Sequence, residues 1–412
     1  MEKLFLRSQA ALATVSNRYH RPLFHNIDWD NALIAILGAR GVGKTTLLLQ
    51  RLKMLKLSPR EALYADLGDL YFKENRLLDF VEAYIAQGGK LLFLDEVHRY
   101  GFGSWAQEIK TIYDLYRHRV KVIFSGSSVI NILDQQADLS RRVRFFRMQG
   151  LSFREYLLLQ ENLEFSSLSL DNILQSHFSI AQELGAGTNF LPKKYLGSYW
   201  QNGYYPFFLD DPKGYSQRLN LVIQLVIDQD IPHAAGAGAT KQDKIGRLLF
   251  AIASSPPFKP NISKLAERLE LSRNTLLQYL QLLERAELIS ALRMESKGVS
   301  SLQKPDKVFL DNPNLIYALA PQQADIGAIR EAFFYNQLSS LARSWALPPR
   351  IELPQKGDFI YSGPQGQYLF EIGGPGKEYK QIGMAENHYV VTDANTTAHP
   401  RKIPLWMFGF LY

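Results

Sequence analysis

Residues 38–45 read GARGVGKT, from Gly38 to Thr45, and fit the spacing of a glycine, four residues and then Gly-Lys-Ser/Thr that marks a phosphate-binding loop. LIAIL, from Leu33 to Leu37, precedes it as a short apolar run suited to a buried strand. TTLLLQRLKML, from Thr45 to Leu55, follows with the spacing of a helix. Strand, glycine loop and helix N-terminus in that order make an anion site, because the glycines let the backbone turn its N–H groups inward and the helix dipole favours negative charge. The loop therefore predicts a nucleotide site lined by Gly38, Ala39, Arg40, Gly41, Val42, Gly43, Lys44, Thr45 and Thr46. Lys44 would meet the β- and γ-phosphates, and Thr45 would hold Mg²⁺.

Working outward, ALYADL (62–67) reads as a second strand and LLDFVEAYIAQGG (77–89) as a helix closed by glycine. KLLFLDEVHR (90–99) runs four apolar residues straight into Asp95 and Glu96. Such a strand delivers two carboxylates to the edge of a parallel sheet where ligands bind. Asp95 would complete the Mg²⁺ shell, and Glu96 would polarise a water for attack on the γ-phosphate. VKVIFSGSS (120–128) ends in a polar strand tip, at which Ser127 is placed to report on that phosphate. Four alternations of strand and helix predict a parallel sheet covered on both faces.

Composition sets the limits. With 412 residues the chain has room for two to four domains, and 46% hydrophobic with 21% charged residues is the balance of a globular protein. A net charge of +7 permits an anionic partner without requiring one. The chain has no cysteine, which excludes disulfides, thiolate metal sites and thiol nucleophiles. Neither a signal-peptide core nor a run of 18 apolar residues is present, so the expectation is a cytoplasmic protein with no membrane partner.

The motifs GARGVGKTTLL, LFLDEVH, VIFSGSS, LSRRVRFFRMQGLSFREYL and the later FEIGG with a downstream lysine resemble those of the AAA-type ATPases that carry a C-terminal nuclease-like domain (an AAA domain plus a DUF4143-like domain). The resemblance spans nearly the whole chain. It implies an α/β protein divided into an ATPase domain (1–160), a helical lid or connector (161–240), a winged helix (241–319) and a restriction-endonuclease-like domain (320–412). It also implies ATP and Mg²⁺ as ligands and leaves oligomerisation open. In the family signature a Gly-Arg step precedes Leu-Ser-Phe-x-Glu-Tyr; here Arg141 replaces the glycine. Arg142 takes the position that resembles an arginine finger, with Arg141 as second candidate, the alternative being a solvated basic face with Arg144 and Arg147.

The aromatic piece KKYLGSYWQNGYYPFFLDDP (193–212) reads as core, and AAGAGAT (234–240) as a linker. ISKLAERLELSRNTLLQYLQLLERAELI (262–289) has two apolar helix faces around a short turn, with Ser272 placed to cap the second helix. ISALRMESKG and KPDKVFLD supply two strand-like pieces after it. The second helix would expose Arg273, Asn274, Gln278 and Gln281, types that contact phosphates and base edges in double-stranded DNA.

In the last hundred residues the resemblance implies a carboxylate on one strand and a Glu-x-Lys on the next, which hold a divalent metal. Asp358 and Glu371 take the carboxylate positions, Glu331 opens a helix, and the lysine position is Gly373, with Lys377 or Lys380 left to reach back. The loss of that lysine predicts a degenerate site that binds and does not cut. Two further readings stand beside an ATPase acting on DNA. One is an ATP-gated switch for a protein partner; the other is an ATP-gated, metal-dependent nuclease.

Overall fold

A computed structural model describes residues 1–126, 139, 141–188, 190–232, 240–255, 258–294, 304–342, 349–364, 366–378 and 386–412. The chain forms two compact units. The first comprises Met1–Gly150 and Gln229–Ala237, and the second comprises Leu151–Asp228 and Gly238–Tyr412.

The first unit is a five-stranded parallel sheet in the order β2-β3-β4-β1-β5. Its strands are β1 (Leu33–Leu37), β2 (Ala62–Asp66), β3 (Leu91–Asp95), β4 (Lys121–Gly126) and β5 (Arg144–Arg147). The near-continuous apolar runs of β1, β3 and β4 follow from burial on both faces. Helices at Lys44–Leu55, Leu77–Ala86 and Trp105–Tyr116 connect the strands. Because all strands run the same way, Leu37, Asp66, Asp95, Ser125 and Gly126 end on one edge of the sheet.

The fifth strand was not expected. RFFR, in the basic run, pairs along β1 from Ile34↔Arg144 to Leu37↔Arg147. The N-terminal residues also acquire a place. In the helix Glu2–Thr14, Ser8 accepts a hydrogen bond from Tyr64 N (3.2 Å) on edge strand β2. Arg21 donates to the carbonyls of Val42, Gln149 and Gly150 (3.3, 3.1 and 2.9 Å), which ties the phosphate loop to the segment after β5.

The second unit begins ten residues earlier than the boundary read from the sequence. Its first helix, Phe153–Glu161, opens on a capping box between Ser152 and Glu155, and Leu151 N donates to Tyr204 O (2.7 Å). The expected boundary at 240 is crossed by buried polar contacts of Asn314, and that at 319 by Asn336, which donates to the Tyr204 hydroxyl (3.3 Å) and to Asp311 Oδ2 (3.1 Å). Asn314, fully buried, donates to Tyr199 O and Trp200 O (2.9 and 2.8 Å) and accepts from Tyr204 N (2.8 Å) and the Tyr215 hydroxyl. Connector, helical pair and C-terminal sheet lie in one compact unit, and the aromatic piece 193–212 lies within it, with Tyr199, Trp200, Tyr204, Tyr205 and Phe208 buried.

Helices Ile262–Arg268 and Arg273–Arg285 are joined by a turn with Glu270 at φ 52°, and Ser272 caps the second by accepting from Thr275 N (3.0 Å). The strands β6 (Ile289–Leu292) and β7 (Lys307–Leu310) follow as an antiparallel pair. The C-terminal sheet is ordered β12-β11-β10-β9-β8, from β8 (Arg350–Glu352), β9 (Phe359–Gly363), β10 (Gly366–Gly373), β11 (His388–Thr392) and β12 (Lys402–Pro404). Its β10, β11 and β12 run parallel, whereas β8 and β9 are antiparallel to their neighbours. Among the described residues no helix is long and apolar enough to cross a membrane.

Candidate functional site

The loop between β1 and the helix Lys44–Leu55 is shaped by two glycines. Gly43 caps the helix at φ 101°, which side chains rarely adopt, and a Cβ on Gly38 would meet Met148 O at 2.2 Å. Lys44 is buried, and its ammonium donates to Gly38 O (2.8 Å) and Ala39 O (2.7 Å). The loop's only charged head group inside the turn is thus held over the helix N-terminus, where the amides converge.

Asp95 is the hub. It is 2% exposed, and its Oδ2 accepts from Thr45 Oγ1 (2.6 Å) and the Tyr64 hydroxyl (2.9 Å), while Oδ1 accepts from Ser125 Oγ and from Glu96 N (3.1 Å). Four donors thus satisfy both oxygens of this buried carboxylate. Burial, and then proximity to Asp95, push the Tyr64 hydroxyl well above its ordinary range. Asp66 ends β2 directly beside Asp95, and burial raises its carboxyl, an effect that Asp95 and Glu96 reinforce and Gly68 N and Arg99 oppose. The Thr45 hydroxyl and the Asp95 carboxylate are hard oxygen donors on adjacent elements, a set that fits Mg²⁺ with phosphate and water oxygens.

Glu96 stands at φ 52°, which turns its side chain away from Asp95's partners and toward Arg40 and His98. Its Oε2 lies 3.6 Å from Arg40 and 3.5 Å from His98. Asp230, from the segment that returns to this unit, meets the same two groups. Arg40 donates to it twice (2.9 and 3.2 Å), and His98 Nε2 is 3.6 Å from Oδ1. Burial pushes the Asp230 carboxyl up, but the hydrogen bonds and charges of His98 and Arg40 hold it below its ordinary value.

The structure thus brings together Lys44, Thr45, Asp95, Glu96 and Arg40 of the residues named from sequence. Tyr64, Asp66, Ser125, His98 and Asp230 were missed. Ser125 and Asp66 lay in strands already read, where their position at the strand ends was the available signal; nothing near position 230 pointed to the loop. Arg142 makes a bidentate pair with Asp114 (2.7 and 3.0 Å) at a partly exposed position of the helix Trp105–Tyr116. Arg141 is exposed. Ser127 lies outside the described residues.

In the second unit, Arg273, Asn274 and Gln278 are exposed along one helix, whereas Gln281 is half-buried. Asp358 accepts from Ile372 N (2.7 Å), which sets it beside Glu371 on β10. Glu371 is 1% exposed and has Lys377 Nζ 2.6 Å from its Oε1. Glu331 sits in the second turn of the helix Ile326–Ala342 and pairs with Lys307 at 2.6 Å. Burial raises the Glu331 carboxyl, Asp358 adds to the effect, and Lys307 opposes it. An ammonium stands beside each of these two glutamates, and among the described residues no group of three or more His, Asp or Glu is arranged to hold a metal ion. Lys380 lies outside the described residues.

Comparison with known proteins gives two family matches. Residues 30–157 match an AAA domain, and residues 193–325 match a domain of unknown function, DUF8612. The resemblance led to a DUF4143-like domain in the C-terminal half; the match there is to DUF8612 instead. An uncharacterized protein of Methanocaldococcus jannaschii, MJ1637, is 27% identical over 372 residues, covering 85% of this chain and 77% of that one. Among solved structures, the RuvB Holliday junction branch migration motor of Thermotoga maritima is similar at 13% identity and TM-score 0.27, over 70% of this chain and 87% of that one. AMPPCP-bound DnaA from Aquifex aeolicus is similar at 15% identity and TM-score 0.26, over 68% and 86%. The family match over residues 30–157, laid on a parallel sheet whose edge gathers Lys44, Thr45, Asp95 and Glu96, identifies this stretch as an AAA-type P-loop domain.

Proposed function

We propose that the chain is a Mg²⁺-dependent ATPase whose nucleotide cycle acts on the second unit and, through it, on double-stranded DNA. The observation that carries the ATPase reading is the 2.6 Å contact between Thr45 and Asp95 at the mouth of the phosphate loop, with Glu96 one residue on. Lys44 and the amides at the start of its helix would take the β- and γ-phosphates, which compete for the ammonium with the carbonyls of Gly38 and Ala39. Thr45 and Asp95 would hold Mg²⁺, which when bound spreads phosphate charge during transfer. Glu96, one residue on, would orient and polarise the attacking water.

The DNA reading is supported by the capped helix Arg273–Arg285, which displays Arg273, Asn274 and Gln278, and by the antiparallel pair β6 and β7 that follows it, which the winged-helix reading takes as the wing. The C-terminal sheet, with carboxylates at Asp358 and Glu371, is read as a degenerate nuclease-like domain that binds without cutting. Arg142 remains the candidate finger for a neighbouring copy; it would have to leave Asp114 to act.

The test is steady-state ATP hydrolysis with Lys44→Ala and Glu96→Gln as controls, with and without double-stranded DNA at two salt concentrations. Lys44→Ala is expected to abolish turnover, and Glu96→Gln to keep nucleotide binding while slowing hydrolysis roughly 100-fold or more. DNA stimulation that fades with salt supports phosphate contacts. Hydrolysis indifferent to DNA at both salts would favour the switch that binds a protein partner, and Lys44→Ala with normal turnover would sink the ATPase reading.

A further inference from the structure

Asp66 closes β2 beside Asp95. The two are register partners on neighbouring parallel strands, so their side chains leave the sheet on the same face. Residues i and i+2 of a strand share a face as well, which puts Asp66 on the side from which the Tyr64 hydroxyl reaches Asp95 Oδ2 (2.9 Å). Thr45 Oγ1 arrives at that same oxygen from the phosphate-loop helix (2.6 Å). Asp66 is half-buried there, within electrostatic reach of Asp95, Glu96 and Arg40.

The two carboxylates differ in what they have left. An ionised carboxylate offers about four lone-pair sites, and Asp95 already accepts from Thr45, Tyr64, Ser125 and Glu96 N. Asp95 therefore serves a cation through Thr45 or by giving up a donor. Asp66 Oδ1 accepts from Gly68 N (2.8 Å), whereas its Oδ2 meets no donor among the described residues. Arg99, whose guanidinium carbon a Cβ on Gly68 would meet at 2.8 Å, is near enough to oppose the rise of the Asp66 carboxyl, but no ion pair joins the two. A turn cap needs Oδ1 alone. Mg²⁺ sheds water reluctantly and is usually held by one or two carboxylates together with phosphate oxygens and several waters of its own. We propose that Asp66 is a second positioning carboxylate of the nucleotide site, whose Oδ2 accepts a hydrogen bond from the hydration shell of Mg²⁺ while Thr45, held by Asp95, faces the cation. This deepens the ATPase reading and rests on it. Asp66 touches neither phosphate nor metal in this scheme, and acts through water.

The experiment titrates Mn²⁺ into the full chain with AMPPCP saturating, reads free Mn²⁺ from its electron paramagnetic resonance signal, and records the melting of the metal-free chain. Asp66→Asn keeps an acceptor for Gly68 N and removes the charge. It is expected to weaken Mn²⁺ binding about fivefold or more. Its metal-free melting temperature is expected to equal or exceed that of wild type, because a like charge beside Asp95 and Glu96 is gone. A smaller change in Mn²⁺ affinity overturns the proposal. So does weaker binding accompanied by a lower metal-free melting temperature, the mark of a turn that has lost its cap. Should Asp66→Asn not fold, Asp66→Ser, which also offers Gly68 N an acceptor, is measured against the same criteria. A wild-type chain that binds no AMPPCP, or no Mn²⁺ with AMPPCP present, removes the Mg²⁺-dependent ATPase reading and this proposal with it. A wild type that binds both, beside a folded Asp66→Asn that binds Mn²⁺ equally well, removes the proposal alone.

Discussion

The Lys377 ammonium lies 2.6 Å from Glu371 Oε1, and its aliphatic stem lies over Gly373, where a Cβ would meet Lys377 carbons at 2.7–2.8 Å. A cation four residues along the chain therefore reaches the carboxylate that the expected lysine at position 373 would have neighboured, and the glycine is what leaves room for it. Replacement of Lys377 by Met leaves a carboxylate that is 1% exposed without its partner. We expect a loss of about 3 kcal/mol in chemical denaturation, largely recovered in the Glu371→Gln, Lys377→Met double variant. If the single variant is as stable as wild type, Lys377 does not neutralise Glu371.

Tyr64 and Thr45 donate to the same oxygen of Asp95, at 2.9 and 2.6 Å. Removal of the Tyr64 hydroxyl frees that oxygen to rotate away from the loop. Tyr64→Phe is therefore expected to raise the Mg²⁺ concentration for half-maximal ATP turnover about tenfold, with a smaller effect on turnover at saturating Mg²⁺. An unchanged Mg²⁺ dependence would show that Ser125 and Glu96 N hold Asp95 without help.

Asp230 also sets a pH dependence. Burial opposes ionisation, but hydrogen bonds and charges from His98 and Arg40 win, so the folded carboxyl titrates below its ordinary value of 3.8. A depressed carboxyl contributes stability that is fully present above the unfolded value and is lost as pH falls through the folded one. The melting-temperature gap between wild type and Asp230→Asn is expected to hold from neutrality down to about pH 4 and to shrink below it. A gap that closes well above that pH would assign the stabilisation to another group.

Asn314 is the tie of the second unit, with two carbonyls, one amide and one hydroxyl as partners. Asn314→Ala strands the Trp200 carbonyl and the Tyr204 amide in a buried site and takes one of two donors from the Tyr199 carbonyl. We expect about 3 kcal/mol or more of destabilisation. Because the tie crosses from residue 199 to residue 314, proteolysis should then cut on both sides of the boundary once expected at 240, and cleavage confined to one side would argue for separate domains.

What could be read from sequence was what local spacing encodes. The glycines at 38, 41 and 43, the apolar run into Asp95 and the cap at Ser272 each act within a few residues, and each stands where the pattern placed it. Strand β5 escaped because RFFR has only two apolar residues between arginines, and its place beside β1 is decided by pairing across more than a hundred residues. Asp230 escaped for the same reason: the 190 residues that separate it from Arg40 carry no periodicity that would announce a salt bridge. The single compact unit over most of residues 151–412 escaped because helical and strand segments look separable when the asparagines that join them are single polar letters.

The chain enters the first unit twice, and synthesis on a ribosome runs in one direction. The phosphate loop, Asp95 and Glu96 emerge early, but Asp230 follows only after the stretch Leu151–Asp228 has been translated. A nascent chain can therefore close its parallel sheet while Arg40 still lacks its partner. Completion of the Arg40–Asp230 pair is tied to translation of that later stretch, and a chain cut at the end of the AAA match would carry the motif residues and lack Asp230.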